Sequence, residues 1–173
     1  MAVYTKINNK DLTFINRKFN FENFKSFKGI KQGIENTNYL LRSKNKKFIL
    51  TIFEKRVVKK EIPFFMKLMD QLSNLNINCP KPLKNNQGNY LIKVKNKISC
   101  VVTFLDGKDK KKLNLKNCFD IGKTIAQIHL STKKLDLYRK NSMSIKNLNP
   151  LLNSIKFKSQ KFSNLEKFLK RNF

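Results

Sequence analysis

Leu12, Phe14, Ile15 and Phe19 recur near helical spacing across residues 9–19, with Asn9 placed as a cap. Beyond them the apolar runs shorten to strand length. Residues 24–28, 37–42 and 47–53 read as three strands, the first two joined by a glycine-containing loop and the next two by the polar turn 43–46. Lys60-Glu61-Ile62-Pro63 opens a helix, since proline is tolerated in a first turn. Phe64, Phe65, Leu68, Met69 and Leu72 form its expected apolar stripe. A turn-rich exit with Pro80 and Pro82 follows. Asn85-Asn-Gln-Gly88 is expected to join strands at 81–84 and 90–94, and a further strand, 98–104, leads to Leu105-Asp106-Gly107. After Gly107 the texture changes to a charged linker (108–112). Phe119, Ile121, Ile125, Ile128 and His129 then sit at spacings that suit a buried helix over 115–130, with His129 packed and hydrogen-bonded in the core. Residues 138–149 are irregular, and a last helix is expected from Ser163 in the lysine-rich stretch 151–173.

Composition narrows the class. The 173 residues are 40% apolar with 15 Phe, enough for a real core and against wholesale disorder. No run is long enough to span a membrane, and the start lacks the basic-then-apolar layout of a secretory leader, so a soluble cytoplasmic protein is expected. Cys79, Cys100 and Cys118 are far apart and accompanied by a single histidine, so they read as free thiols filling core or near-core positions. The formal charge of +27 invites a nucleic-acid reading. Yet only five of the 38 cations are Arg (17, 42, 56, 139 and 171), and the lysines are spread along the whole chain. Solvated lysine-rich faces are the plainer account, and a basic nucleic-acid-binding module is the alternative.

The order helix, strand, glycine loop, two strands, helix, two strands and crossing segment suits a kinase-type nucleotide lobe. A strand–turn–strand can lay backbone N–H groups over phosphates only where side chains allow close approach. Gly29 and Gly33 meet that need, although Gly-x-x-x-Gly alone also fits an ordinary hairpin loop.

In combination the motifs carry a resemblance. Ser26-Phe-Lys-Gly29-Ile-Lys-Gln-Gly33-Ile-Glu-Asn36-Thr-Asn38-Tyr-Leu-Leu resembles the phosphate loop of bacterial homoserine kinases of the aminoglycoside-phosphotransferase-like family. So do Phe48-Ile-Leu-Thr-Ile-Phe-Glu-Lys55-Arg56-Val and Glu61-Ile-Pro-Phe-Phe-Met-Lys-Leu-Met-Asp70. The opening Met1-Ala-Val-Tyr-Thr, then Cys79-Pro80-Lys-Pro82, Val102-Thr-Phe-Leu105-Asp-Gly107 and Gly122-Lys-Thr-Ile-Ala-Gln-Ile-His129-Leu continue the likeness in order, over roughly residues 1–150.

The resemblance implies an α+β, protein-kinase-like fold. A five-stranded antiparallel N-terminal lobe and connector would occupy 1–107, and the start of a helical C-terminal lobe 108–173. It implies ATP and Mg²⁺ as cofactors and L-homoserine as the phosphoryl acceptor, yielding O-phosphohomoserine in threonine biosynthesis. Gly29, Gly33, Asn36 and Asn38 would cover the phosphates, and the backbone of Thr103, Phe104, Leu105 and Asp106 would meet the adenine. Thr51 stands where kinase-like folds usually carry a phosphate-pairing Lys. Lys55, four residues on and so on the same strand face, is the nearest replacement if it is not simply another solvated lysine. Glu61 is the first candidate for the helix carboxylate and Asp70 the second, against a plain exposed acid.

The family's catalytic loop, His-x-Asp-x-x-x-x-Asn, has no counterpart here, because His129 is the one histidine and Ser131 stands two residues after it. The expectation is therefore an amino-terminal fragment that lacks catalytic and metal-binding residues and is inactive alone. Its helix 115–130, without the rest of its lobe, should expose an apolar patch. A kinase of the same fold acting on choline, methylthioribose or an aminoglycoside is the alternative within the family.

Overall fold

A computed structural model describes residues 3–150 apart from positions 21, 56, 108, 142, 143, 145 and 149. The expectations for Met1, Ala2, Arg56 and the stretch 151–173, including its last helix, lie outside the described residues. The chain divides into two compact units, residues 1–137 and 138–173.

The first unit opens with α1 (Asn9–Lys18). Its cap is Asn8, one residue earlier than the sequence pattern suggested: the Asn8 side chain accepts from the Asp11 amide at 3.1 Å, and Asp11 Oδ2 accepts from the Asn8 amide at 2.8 Å. This reciprocal capping box satisfies two amides that would otherwise be orphaned at the helix start. Five strands follow: β1 (Ser26–Gly29), β2 (Thr37–Arg42), β3 (Lys47–Ile52), β4 (Leu91–Val94) and β5 (Lys97–Thr103). They form one antiparallel sheet in the order β1-β2-β3-β5-β4. Between β3 and β4 lie a 3₁₀ turn (Lys59–Glu61) and α2 (Ile62–Asn74), and after β5 comes α3 (Leu115–Thr132).

Period-two alternation assigns the two faces of the sheet. Tyr39, Leu41, Phe48, Leu50, Ile52, Ile92, Val94 and Val101 meet Leu12, Ile15, Phe19 and Phe24 in the larger core. Ile49, Leu91, Ile98, Cys100 and Val102 face the other way, where Ile62 and Met66 of α2 close a smaller core. The stripe of α2 is only partly the expected one, with Leu72 buried and Met69 packed as read but Phe65 replaced by Ile62 and Met66. Ile62, Met66 and Met69 meet the sheet, whereas Phe65 is exposed and stacks edge-on with Phe64 at 5.4 Å.

The hairpin also differs from expectation. The Asn85–Gly88 turn forms, with Asn85 Oδ1 accepting from the Gln87 and Asn89 amides at 2.9 and 3.0 Å, but it does not pair 81–84 with 90–94. Instead β4 turns into β5 through Lys95 and Asn96, both at positive φ (51° and 60°), the twist that suits a two-residue hairpin. Residues 81–83 run along the far half of β5, where Leu83 N donates to Val101 O at 2.8 Å and Thr103 N to Lys81 O at 2.9 Å. Pro82, which has no amide to donate, forms a single bridge there with Val102.

α3 is capped by a second reciprocal box, in which the Asn114 side chain accepts from the Asn117 amide at 2.9 Å and Asn117 Oδ1 from the Asn114 amide at 3.3 Å. None of its residues is buried: Phe119 is 71% exposed, and Ile121 and Ile125 are each 48% exposed. The expected apolar patch of this helix is present, while a buried His129 is not, because the helix is exposed along nearly its whole length. For the same reason Cys118 is exposed rather than a core filler, unlike buried Cys100 and half-buried Cys79. In the second unit, the Asn147 and Leu148 amides donate to Ser144 O at 2.9 and 3.0 Å in a helical turn.

Candidate functional site

The loop between β1 and β2 begins where the ladder ends, with Ile30 N donating to Asn38 O at 2.9 Å. Its two glycines serve different needs. A Cβ on Gly29 would lie 3.1 Å from Val3 Cγ2 and 3.5 Å from the Tyr39 ring, so space is tight there. Gly33 has open space but φ of +100°, a conformation that costs other residues strain. Beneath the loop lies an open cleft of about 550 Å³ lined by Lys28, Gly29, Ile30, Lys31, Gln32, Leu40 and Phe104. Ile30, Leu40 and Phe104 give it an apolar floor suited to a planar base, and Lys28 and Lys31 bring positive charge to the loop side, as an anionic group requires.

The connector is pinned from outside the cleft. Phe104 N donates to Lys47 O at 3.1 Å, Lys47 Nζ lies 5.0 Å above the Phe104 ring, and the same ammonium pairs with Asp106 at 2.7 Å. Thr103 Oγ1 accepts from Lys81 N at 2.9 Å. The Thr103 and Asp106 side chains thus hold the connector while Phe104 faces the cleft, and Leu105 is exposed.

Of the residues singled out from sequence, the fold joins Gly29 with Phe104 across this cleft and Asn38 with Thr51 across two strands. Asn38 and Thr51 are register partners, and the Thr51 hydroxyl donates to Asn38 Oδ1 at 2.8 Å. Thr51 offers a hydroxyl where a lysine would offer charge. The expected strand placement of Lys55 fails, because β3 ends at Ile52 and Lys55 stands exposed in the turn beyond. There it lines a separate cavity of about 390 Å³ with Tyr4, Ile34, Glu35, Glu54 and Lys97. Glu61 ends the 3₁₀ turn and is half-buried at the start of α2. Asp70 accepts the Tyr90 hydroxyl at 2.8 Å, and burial together with that bond pushes the Tyr90 phenol up to about 12. This ties α2 to the β4 edge and occupies Asp70.

Sequence reasoning missed Leu40, Lys47 and a polar cluster at the base of the loop. The alternation of Thr37, Tyr39 and Leu41 already placed Leu40 on the opposite face, so its role was readable. The cluster was not, since its members are distant in sequence. Glu54 accepts from Thr5 at 2.6 Å and Thr37 at 2.8 Å and pairs with Lys97, while its amide donates to Asn36 Oδ1 at 3.3 Å. Burial by itself would raise the Glu54 carboxyl. The hydrogen bonds from Lys97, Thr5 and Thr37 and the Lys97 charge outweigh burial and hold it below its ordinary value.

A depressed carboxylate contributes stability that is present above its unfolded value and lost as pH falls through the folded one. Melting temperature should therefore fall on acidification below the ordinary carboxyl value of 4.5, and Glu54→Gln should flatten that part of the profile. An unchanged acid limb in the variant would show that Glu54 is not responsible.

The sheet, the helix packed on one face and the cleft under a glycine loop are the architecture of a kinase-like phosphotransferase lobe. A model of the phosphotransferase enzyme family matches residues 26–154, and the chain belongs to that family. Within it, the chain is 33% identical over 154 residues to a homoserine kinase of Parvibaculum lavamentivorans, covering 89% of this chain and 48% of the relative. It is 37% identical over 145 residues to a homoserine kinase of Bartonella tribocorum, covering 84% and 46%. The chain thus spans about half the length of the curated relatives it matches. Among solved structures, spectinomycin phosphotransferase APH(9)-Ia in complex with ADP and spectinomycin superposes with a TM-score of 0.60 at 13% identity, over 97% of this chain and 54% of that one. The AMP-bound complex of the same enzyme gives 0.56 at 15% identity. The protein-kinase-like fold expected from the motif order is therefore the fold observed.

Proposed function

We propose that this chain is the nucleotide-binding part of a homoserine kinase, with 1–107 the nucleotide lobe and connector and 108–173 the beginning of the helical lobe. In the intact enzyme the homoserine hydroxyl oxygen attacks the γ-phosphorus of ATP as the bond to the β,γ-bridging oxygen breaks. ADP leaves, O-phosphohomoserine forms, and the hydroxyl proton passes to a base outside this sequence. The observation that carries the reading is the apolar cleft between Leu40 and Phe104, lined on its loop side by Gly29–Gln32, in a chain similar to homoserine kinases along most of its length.

In this reading adenine lies against Ile30, Leu40 and Phe104, beside the backbone of Thr103, Leu105 and Asp106. The loop with Gly29, Gly33, Asn36 and Asn38 covers the phosphates. Lys28 and Lys31, at the cleft itself, are better placed than Lys55 to meet their charge, and Thr51 with Glu61 completes the candidate set. Among the described residues no three His, Cys, Asp or Glu side chains gather into a metal-binding group. Among the described residues no helix is long and apolar enough to cross a membrane.

The test is an assay of the native gene product with MgATP against L-homoserine, choline, methylthioribose and an aminoglycoside. Phosphorylation of L-homoserine at a kcat/KM at least tenfold above the other three is expected. Preference for another acceptor would keep the fold and overturn the substrate. The 173-residue chain by itself should show no turnover.

A further inference from the structure

The N-terminal arm touches the loop between β1 and β2 at its beginning, middle and end. Val3 backs the start, its Cγ2 lying 3.1 Å from where a Gly29 Cβ would stand. The Tyr4 hydroxyl donates to Ile34 O, in the loop itself, at 2.8 Å. At the end of the loop, Thr37 Oγ1 accepts from both the Tyr4 and Thr5 amides, at 2.9 and 3.1 Å. The arm is fixed in turn: Tyr39 Oη donates to Thr5 O at 2.9 Å and accepts from Ile7 N at 3.2 Å, and Thr5 and Thr37 both bond Glu54, which Lys97 neutralises.

These contacts have a common consequence. A loop with glycine at its centre carries a high conformational entropy, and a ligand that must order it loses affinity in proportion to the unready fraction. A tether made before the ligand arrives removes that loss. Tyr4 is 56% exposed, so burial does not force its hydroxyl onto the loop carbonyl that it bonds.

We infer that residues 3–5 form a strap that holds the β1–β2 loop in its nucleotide-ready conformation, with Tyr4 a positioning residue that acts through Ile34. The inference rests on the reading of the cleft as a nucleotide site and adds a determinant outside the cleft lining.

The experiment compares the 173-residue chain with Tyr4→Phe, which deletes one oxygen from an exposed side chain, and with Thr37→Val, which removes the acceptor of both arm amides. Backbone hydrogen exchange over residues 31–36 is measured without ligand, MgADP affinity by calorimetry, and melting temperature alongside. Loss of one hydrogen bond of ordinary net strength predicts about a three- to tenfold rise in loop exchange and a weakening of MgADP in Tyr4→Phe, with a melting temperature lowered by no more than about 2–4 °C. Thr37→Val should show a larger rise that also spans the arm. Unaltered loop exchange in Tyr4→Phe overturns the strap. Faster exchange with unaltered MgADP affinity overturns its positioning role. Failure of the unsubstituted chain to bind MgADP overturns the cleft assignment instead, and the tether then stands or falls on exchange alone.

Discussion

Leu50→Ala is expected to lower the unfolding free energy of the first unit by about 3 kcal/mol, within the range of 2–5 kcal/mol found for buried leucines. Leu50 is fully buried on β3, near the middle of the sheet, with Tyr39 on one side and Val101 on the other. Its loss opens a cavity where the sheet meets Ile15, Phe19 and Phe24 of the larger core. Neighbours held on two sides by strand pairing cannot collapse into it, so the cost includes the void as well as the lost transfer energy. Urea denaturation should show the midpoint falling with the slope unchanged. Leu105→Ala, at an exposed connector position, is the control and should cost less than about 0.5 kcal/mol. Equal effects at the two sites would mean that the core is not centred on β3.

The second large effect concerns association. Leu115, Phe119 and Leu130 of α3 are 90%, 71% and 63% exposed, and Ile121 and Ile125 add to the same uncovered helix. Apolar surface of that extent on one element recruits other apolar surface, whether dye or a second chain. The 173-residue chain is expected to bind a hydrophobic dye strongly and to self-associate as its concentration rises. Phe119→Lys combined with Ile125→Lys should remove most of the dye signal and shift the chain to monomer. Because neither side chain is buried, stability should change by less than about 0.5 kcal/mol. A chain that is monomeric and dye-silent without substitution would contradict this account of α3.

How much of this was legible in the sequence depended on the range of the forces involved. Strand alternation is local, so β2 was read to its observed bounds and β3 to within one residue. The glycine positions of the loop were readable because close approach and positive φ are demands on single residues. Other features depend on partners remote in the chain. The buried face of α2 is chosen by which side meets Cys100 and Val102, and Ile62 and Met66 win over Phe65 for that reason. The β4–β5 turn at Lys95-Asn96 carries no glycine signal, whereas Asn85–Gly88 does, and the stronger local signal marked a turn that pairs no strands. The placement of Lys55 relied on β3 continuing past Ile52. Glu54, which does not carry the strand on, is instead drawn to Thr5, Thr37 and Lys97, none of them its neighbour in the chain.

The central claim is that the cleft under the β1–β2 loop is an adenine-nucleotide site, and the most direct test is a titration of the isotopically labelled 173-residue chain with MgADP followed amide by amide. Saturable one-to-one binding is predicted, with the shifts gathered at residues 28–40 and 103–106. Absence of saturation in the millimolar range, or shifts gathered at α3 or dispersed over the lysine-rich surface, would contradict it.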